Sequence, residues 1–190
     1  MSSVVGFTGF AQVGKDSAAG FLAEFGYKRL AFADILRQSL YNLDLVAYYE
    51  SPTQGNVGRG LVRVRELVDE FGWDVVKVWY PEVRELLQRM GTEVGRALYG
   101  ESFWVDRVMG QIEPDGKYVI TDVRFSNEAD AVRKAGGRLF RIDRPGVGSV
   151  NGHISDTGIE SLPISGRISN HGDLVEYRAN VLRAVGIRID

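Results

Sequence analysis

Between Val4 and Gly26 the chain reads VVGFTGFAQVGKDSAAGFLAEFG: an apolar β-rich run, a glycine-bounded loop and a helix, in unbroken succession. Gly9 to Lys15 fits G-x-x-x-x-G-K, the spacing at which backbone N–H groups wrap a phosphate while the lysine reaches the outer phosphates. The glycines matter because the backbone must approach an anion closely and pass through conformations that a Cβ obstructs. Lys15, Asp16 and Ser17 open the helix, whose first turn offers unpaired N–H donors and the positive end of its dipole to the same anion. The flanking strand and helix give the pattern its meaning, since the seven positions also recur by chance as a glycine-rich turn.

The position after the lysine commonly holds a Ser or Thr that binds magnesium, and here it holds Asp16, with Ser17 behind it. A carboxylate beside a triphosphate is repelled unless a metal or another cation lies between them. Asp16 is therefore either a ligand in a metal shell or an orienter of the attacking phosphate.

With 190 residues, 44% of them hydrophobic and 25% charged, the chain suits one globular domain with a substantial core. A net charge of −2 argues against a nucleic-acid-coating surface, so phosphate recognition must be local. The absence of cysteine excludes disulfides and thiolate chemistry, and two histidines, His153 and His171, are too few for a zinc site. No run resembles a signal peptide or a membrane span, which points to the cytoplasm, with no membrane partner.

Downstream, Tyr27 to Ala33 reads as a second strand, and Asp34 starts a helix carrying Arg37, placed to meet a second anion or to sit as a solvated surface arginine. The stretch 42–59, with Pro52, Gly55, Gly58 and no sustained periodicity, reads as a surface loop. Val64, Leu67, Val68 and Phe71 recur at helical spacing and stop at Gly72. Pro81 takes a first helical position, and Val83, Leu86, Leu87, Met90 and Val94 line one face of a long helix running towards Gly100. A further helix starts at Ser102. Gly91 and Gly95 each cost a helix roughly 1 kcal/mol relative to alanine, so close packing or the approach of a ligand should compensate them. Near them, Glu93 and Arg96 are spaced for an intrahelical ion pair, and Trp104 is either a core aromatic or a base-stacking platform.

Tyr118 to Val123 has the short β-branched character of a buried parallel strand, ending at Asp122 and Arg124, where an acid linked to a metal is expected. Asn127 and Asp130 suit a helix cap, and Gly136-Gly137 a helix end. Arg138 to Asp143 is another strand. Residues 144–166, rich in Gly, Ser and Pro and including His153, Ser155 and Asp156, read either as a functional lid or as a floppy excursion of the chain. ISGRISN offers a last strand, and Asp173 with Glu176 a capping box for a terminal helix ending near Gly186.

Strands separated by helices indicate an α/β fold, a parallel sheet with helices on both faces. One loop for a donor polyphosphate and scattered arginines at 37, 96, 124 and 144 equip a chain for phosphoryl transfer, which needs chiefly alignment and positive charge.

GFTGFAQVGKDSAAGFL, LLQRMGTEVGR, FWVDR, YVITDVRFSNEADAVRKAGGRLFRIDRPG and HISD, taken in this order, resemble the deoxynucleoside monophosphate kinases of bacteriophages. The likeness covers most of the chain and is weakest over 42–79. It implies a P-loop kinase fold over residues 1–190, with a helical acceptor-binding region at about 42–112 and a lid at 144–166. It implies transfer of the γ-phosphate of ATP to a deoxynucleoside monophosphate, with magnesium. A homodimer is compatible with it; nucleic acid is not a partner, and the compartment is the cytoplasm, that of a host for a phage protein.

Carried onto this chain, the resemblance gives the donor phosphates to Gly9, Gly14, Lys15, Asp16, Ser17 and Arg144. Lys15, Asp16 and Arg124 act in catalysis, and Asp16 and Asp122 at the metal. Arg37 grips the acceptor phosphate, and Glu93, Arg96, Trp104, Asp122 and Asn127 line the acceptor pocket. His153 and Ser155 join the lid, where HISD has Asp156 in place of the expected glutamate. Two other readings compete: a small-molecule kinase for phosphomevalonate or a coenzyme A precursor, and a nucleotide-binding module without catalysis.

Overall fold

Val4, Val5 and Phe7 are strong strand formers with no polar interruption, and they fall in β1 (Ser3–Thr8) of a computed structural model that describes residues 3–53, 56–148 and 158–188. The chain continues through α1 (Lys15–Ala23), β2 (Lys28–Leu30) and α2 (Phe32–Leu43). A hairpin of β3 (Val46–Thr53) and β4 (Asn56–Arg63) comes next, then α3 (Val64–Trp79) and α4 (Pro81–Arg89). A π-helical segment, Met90–Arg96, leads through the single turn α5 (Ala97–Tyr99) to α6 (Phe103–Met109). The remainder is β5 (Lys117–Ile120), α7 (Ser126–Lys134), β6 (Arg138–Asp143), a 3₁₀ turn Ile159–Ser161, β7 (Gly166–Ser169) and α8 (Leu174–Val185).

These elements group into two compact units, one of residues 1–32 with 105–190 and the other of residues 33–104. The first is built on a parallel sheet in the order β2-β5-β1-β6-β7. β1 is central, with Val5 level with Val119 of β5 on one side and Arg138 of β6 on the other. Because side chains alternate along a strand, Val5 and Phe7 share one face, where they join Ala18 and Leu22 of α1 and Tyr177, Val181 and Leu182 of α8 in one apolar cluster. Burying a side chain such as Phe7 or Leu22 contributes about 1.5–3 kcal/mol. Gly6 faces the other way. A Cβ added there would lie 3.0 Å from Leu139 and 3.4 Å from Val132 of α7, so glycine lets β1 and α7 approach. Helices therefore cover both faces of the sheet, as the alternation of strands and helices predicts.

The second unit has its own core of Leu40, Ala47, Val64, Leu67, Val76, Val83 and Leu87. Its hairpin corrects the expectation of a loop over 42–59. Val46 to Thr53 pair in antiparallel register with Arg63 to Asn56. Backbone pairing supplies the order here, while Val46, Tyr48 and Leu61 stay exposed and Ala47 is buried, so little apolar signal accumulates along the strand. Gly72 does not end α3 but kinks it at φ 73°, and the helix resumes to Trp79. Pro81 does sit at the start of α4. The expected long helix to Gly100 is instead interrupted by the π-helical segment. Among the described residues no helix is long and apolar enough to cross a membrane.

Candidate active site

The loop between β1 and α1 leaves the sheet at the carboxyl end of its central strand, where open parallel sheets bind ligands. Gly9 has φ 136°, and a Cβ there would lie 2.6 Å from the Ile142 carbonyl. Gly14, at φ 102°, caps α1 without a side chain. Gln12 adopts φ 64°, a left-handed conformation that costs a non-glycine residue about 1–3 kcal/mol. The Lys15 ammonium bridges the loop, donating to the carbonyls of Gly9 at 2.8 Å and Phe10 at 2.6 Å. The buried Arg141 guanidinium lies 5.6 Å from the Phe10 ring centre, while Arg141 Nε donates to Asp143 at 2.8 Å.

Asp16, in the first turn of α1, accepts from Arg29 Nε of β2 at 3.2 Å, with its side chain 78% exposed. Ser17 is exposed beside it. Asp122 follows β5, and its Oδ1 accepts the backbone N–H of Phe32 at 2.8 Å, placing a carboxylate on the N-terminus of α2. Arg124 precedes α7. Its backbone N–H and that of Phe125 both donate to one oxygen of Glu128, at 2.7 and 3.1 Å, and Glu128 is only 5% exposed. The cap expected from Asn127 is thus supplied by Glu128, because Asn127 already lies inside the helix. Arg144 Nη1 donates to the Gln12 carbonyl at 3.3 Å, so this arginine does stand at the loop. His153, Ser155 and Asp156 lie outside the described residues.

In the second unit, Arg37 of α2 pairs with Asp34 at 3.2 Å. Glu93 and Arg96 do not pair with each other at the spacing of three. Glu93 meets Arg89 at 3.4 Å, four residues back, and Arg96 meets Glu101 at 3.5 Å. Trp104 is 8% exposed and its indole N–H donates to the Gly91 carbonyl at 2.9 Å. Its ring occupies the space beside Gly95, where a Cβ would sit 2.1 Å from Nε1. Close packing therefore compensates the glycines. Leu36 approaches the Cβ position of Gly91 to 3.2 Å in the same way. Trp104 is a core side chain whose N–H is engaged, and its exposed neighbour Tyr99 stacks on Phe103 at 4.9 Å.

Two residues at the loop escaped the sequence reading. Asn170 Nδ2 donates to the Val13 carbonyl at 2.9 Å, and the Tyr177 hydroxyl to the Gly14 carbonyl at 2.8 Å. Burial raises the Tyr177 hydroxyl above its ordinary pKa of 10.0, against the opposing pull of the Arg144 charge. Neither residue belongs to a motif, and both lie more than 150 positions from the carbonyl they bind. Among the described residues, no group of three or more His, Asp or Glu is placed to hold a metal ion. A hard cation bound through one or two carboxylates and substrate phosphates, as magnesium is, does not require such a group.

Comparison with known proteins follows the same line. A protein of Acanthamoeba polyphaga mimivirus, provisionally named a deoxynucleotide monophosphate kinase, is 28% identical over 171 residues, 84% of this chain and 83% of that one. The deoxynucleotide monophosphate kinase of Escherichia phage RB69 is 30% identical over 104 residues, 52% of this chain. The deoxynucleoside-5'-monophosphate kinase of Escherichia phage T5 is 36% identical over 73 residues, 37% of this chain. The matched stretches span 43% and 29% of those two phage proteins, less than half of their length. Among solved structures, shikimate kinase from Aquifex aeolicus vf5 aligns at a TM-score of 0.48 with 8% identity, over 96% of this chain and 95% of that one. The family model of deoxynucleotide monophosphate kinase matches residues 58–181, more than half of the chain. The chain belongs to the deoxynucleotide monophosphate kinase family, whose members are phosphotransferases.

Proposed function

We propose that the chain transfers the γ-phosphoryl group of ATP to a deoxynucleoside monophosphate, giving ADP and the deoxynucleoside diphosphate. A phosphate oxygen of the acceptor forms the new bond to the γ-phosphorus as the bond to the β–γ bridging oxygen breaks, so atoms and charge balance without a further reactant. The observation that carries the reading is the loop from Gly9 to Lys15, with its two left-handed glycines and its lysine at the start of α1.

In this reading Gly9, Gly14 and Ser17 help hold the donor phosphates, and Lys15 supplies charge that follows the migrating group. Arg124 and Arg144 add positive charge on the donor side. Asp16 and Asp122 are the hard oxygen donors that would hold magnesium, whose chemistry there is neutralisation of phosphate charge. Arg37 grips the acceptor phosphate. Glu93 and Arg96 of the second unit offer polar groups to the acceptor, with Asn127 of the first unit a further candidate, and Trp104 packs against Gly91 and Gly95 in the segment that carries Glu93 and Arg96. Both proposed substrates are cytoplasmic metabolites, which supports a cytoplasmic location.

The test is to incubate the protein with ATP, a magnesium salt and each of the four common deoxynucleoside monophosphates in turn, measuring ADP and the diphosphate product together. Equal amounts of both with at least one acceptor are expected. ADP without a diphosphate, or neither product with any acceptor, would reject the assignment.

A further inference from the structure

Three consecutive carbonyls of the loop, those of Gln12, Val13 and Gly14, each receive a hydrogen bond from a side chain brought in from the far end of the chain. The donors are Arg144 at 3.3 Å, Asn170 at 2.9 Å and Tyr177 at 2.8 Å. Arg144 follows β6, Asn170 follows β7, and Tyr177 lies in the first turn of α8. Their convergence is tight. A Cβ on Gly14 would come within 2.7 Å of Asn170 Nδ2 and 3.1 Å of the Tyr177 oxygen, so glycine is required there by the donors as well as by φ.

A trans peptide unit points its C=O and the following N–H in opposite directions. With the carbonyls of residues 12, 13 and 14 tied by these donors, and that of Gly14 also by the Ala18 N–H at 2.9 Å, the N–H groups of Val13, Gly14 and Lys15 each point away from the donor that holds the preceding carbonyl. We infer that Asn170 and Tyr177 are positioning residues for ATP: with Arg144 they form a collar that holds the loop's N–H donors turned towards the polyphosphate. This rests on the loop being the ATP site. The collar offsets an unfavourable backbone, since Gln12 at φ 64° has no glycine's freedom and would otherwise relax. It also requires donors that keep their protons. An asparagine amide has no proton to lose near neutral pH, and the Tyr177 hydroxyl, 2% exposed and edge-on to Phe21 at 5.6 Å, is protonated there in any case, burial raising its pKa further.

Tyr177→Phe removes the hydroxyl and keeps the ring in its packing, whereas Asn170→Asp replaces the amide donor by an oxygen facing a carbonyl. Calorimetric binding of ATP and of inorganic tripolyphosphate should weaken by the same factor in each variant, roughly fivefold to tenfold. The KM for the deoxynucleoside monophosphate should stay within about twofold of wild type, a split that a merely structural defect would not produce. Should Asn170→Asp fail to fold, Tyr177→Phe carries the test alone. Wild-type affinity for ATP in a folded variant would overturn the inference, as would loss of ATP binding with tripolyphosphate binding unchanged, or an equal rise in both KM values. If the wild-type chain binds neither ATP nor tripolyphosphate, the assignment of the loop fails first and takes the collar with it.

Discussion

Two pairs of glycines, one in each unit, do opposite work. Gly9 and Gly14 have positive φ, and the places of their absent side chains are crowded by a backbone oxygen and by hydrogen-bond donors. Gly91 and Gly95 lie in the π-helical segment outside the left-handed region, and the places of theirs are crowded by Leu36 and the Trp104 indole. In the first pair glycine permits a backbone conformation that a side chain would obstruct, at the loop proposed to hold the donor phosphates. In the second it permits side chains to pack on a helix. Glycine spacing by itself does not separate the two cases, whereas the identity of the crowding atoms does.

The contrast predicts where function and stability part. On the proposed role of the lysine charge, Lys15→Ala should lower turnover by roughly 10²–10³-fold with the melting temperature nearly unchanged; normal turnover would remove the loop from the reaction. Asp16→Asn is expected to cut kcat by about tenfold or more at saturating magnesium while ATP affinity moves little. Its pair with Arg29 is exposed, so stability should shift by no more than about 0.5 kcal/mol, and full turnover in this variant would show the carboxylate to be a surface group. Gly14→Ala should weaken ATP binding by about tenfold to a hundredfold, equivalent to roughly 1–3 kcal/mol of backbone strain. Gly95→Ala should instead lower unfolding stability by about 1–3 kcal/mol and leave ATP affinity alone. Calorimetry with thermal melts reads both, and similar ATP defects in the two variants would abolish the distinction. Within the second unit a smaller loss is expected from Trp104→Phe, about 1 kcal/mol for the lost bond to Gly91. Placed on Gly95→Ala, it should cost less than it does alone, since the smaller ring yields room.

Much of the first unit was legible because local rules and tertiary structure agree there. The strand Arg138–Asp143 appears at the expected bounds, and Asp173 accepts from Glu176 N at 2.9 Å as a helix cap should. The second unit was harder. In 42–59, Pro52, Gly55 and Gly58 look like loop punctuation, yet residues 46–53 pair with 56–63 as a hairpin, with Ala47 in the core as its small apolar anchor. Gly72 reads as a terminus because left-handed glycines usually end helices, and here the chain re-enters the helix after one residue. At the site, the loop and the arginine beside it were readable from spacing and resemblance. Asn170 and Tyr177 were not, since a donor aimed at a main-chain carbonyl leaves no pattern in the residue it serves.

Glu128 carries a warning for saturation mutagenesis. It is a shielded acid next to Arg124, and nearly every replacement would strip two main-chain amides of their acceptor at once. In an activity screen such a position scores like a catalytic base. Comparing Gln, which keeps an acceptor oxygen, with Ala, which keeps none, would separate scaffolding from chemistry before any mechanism is drawn through it.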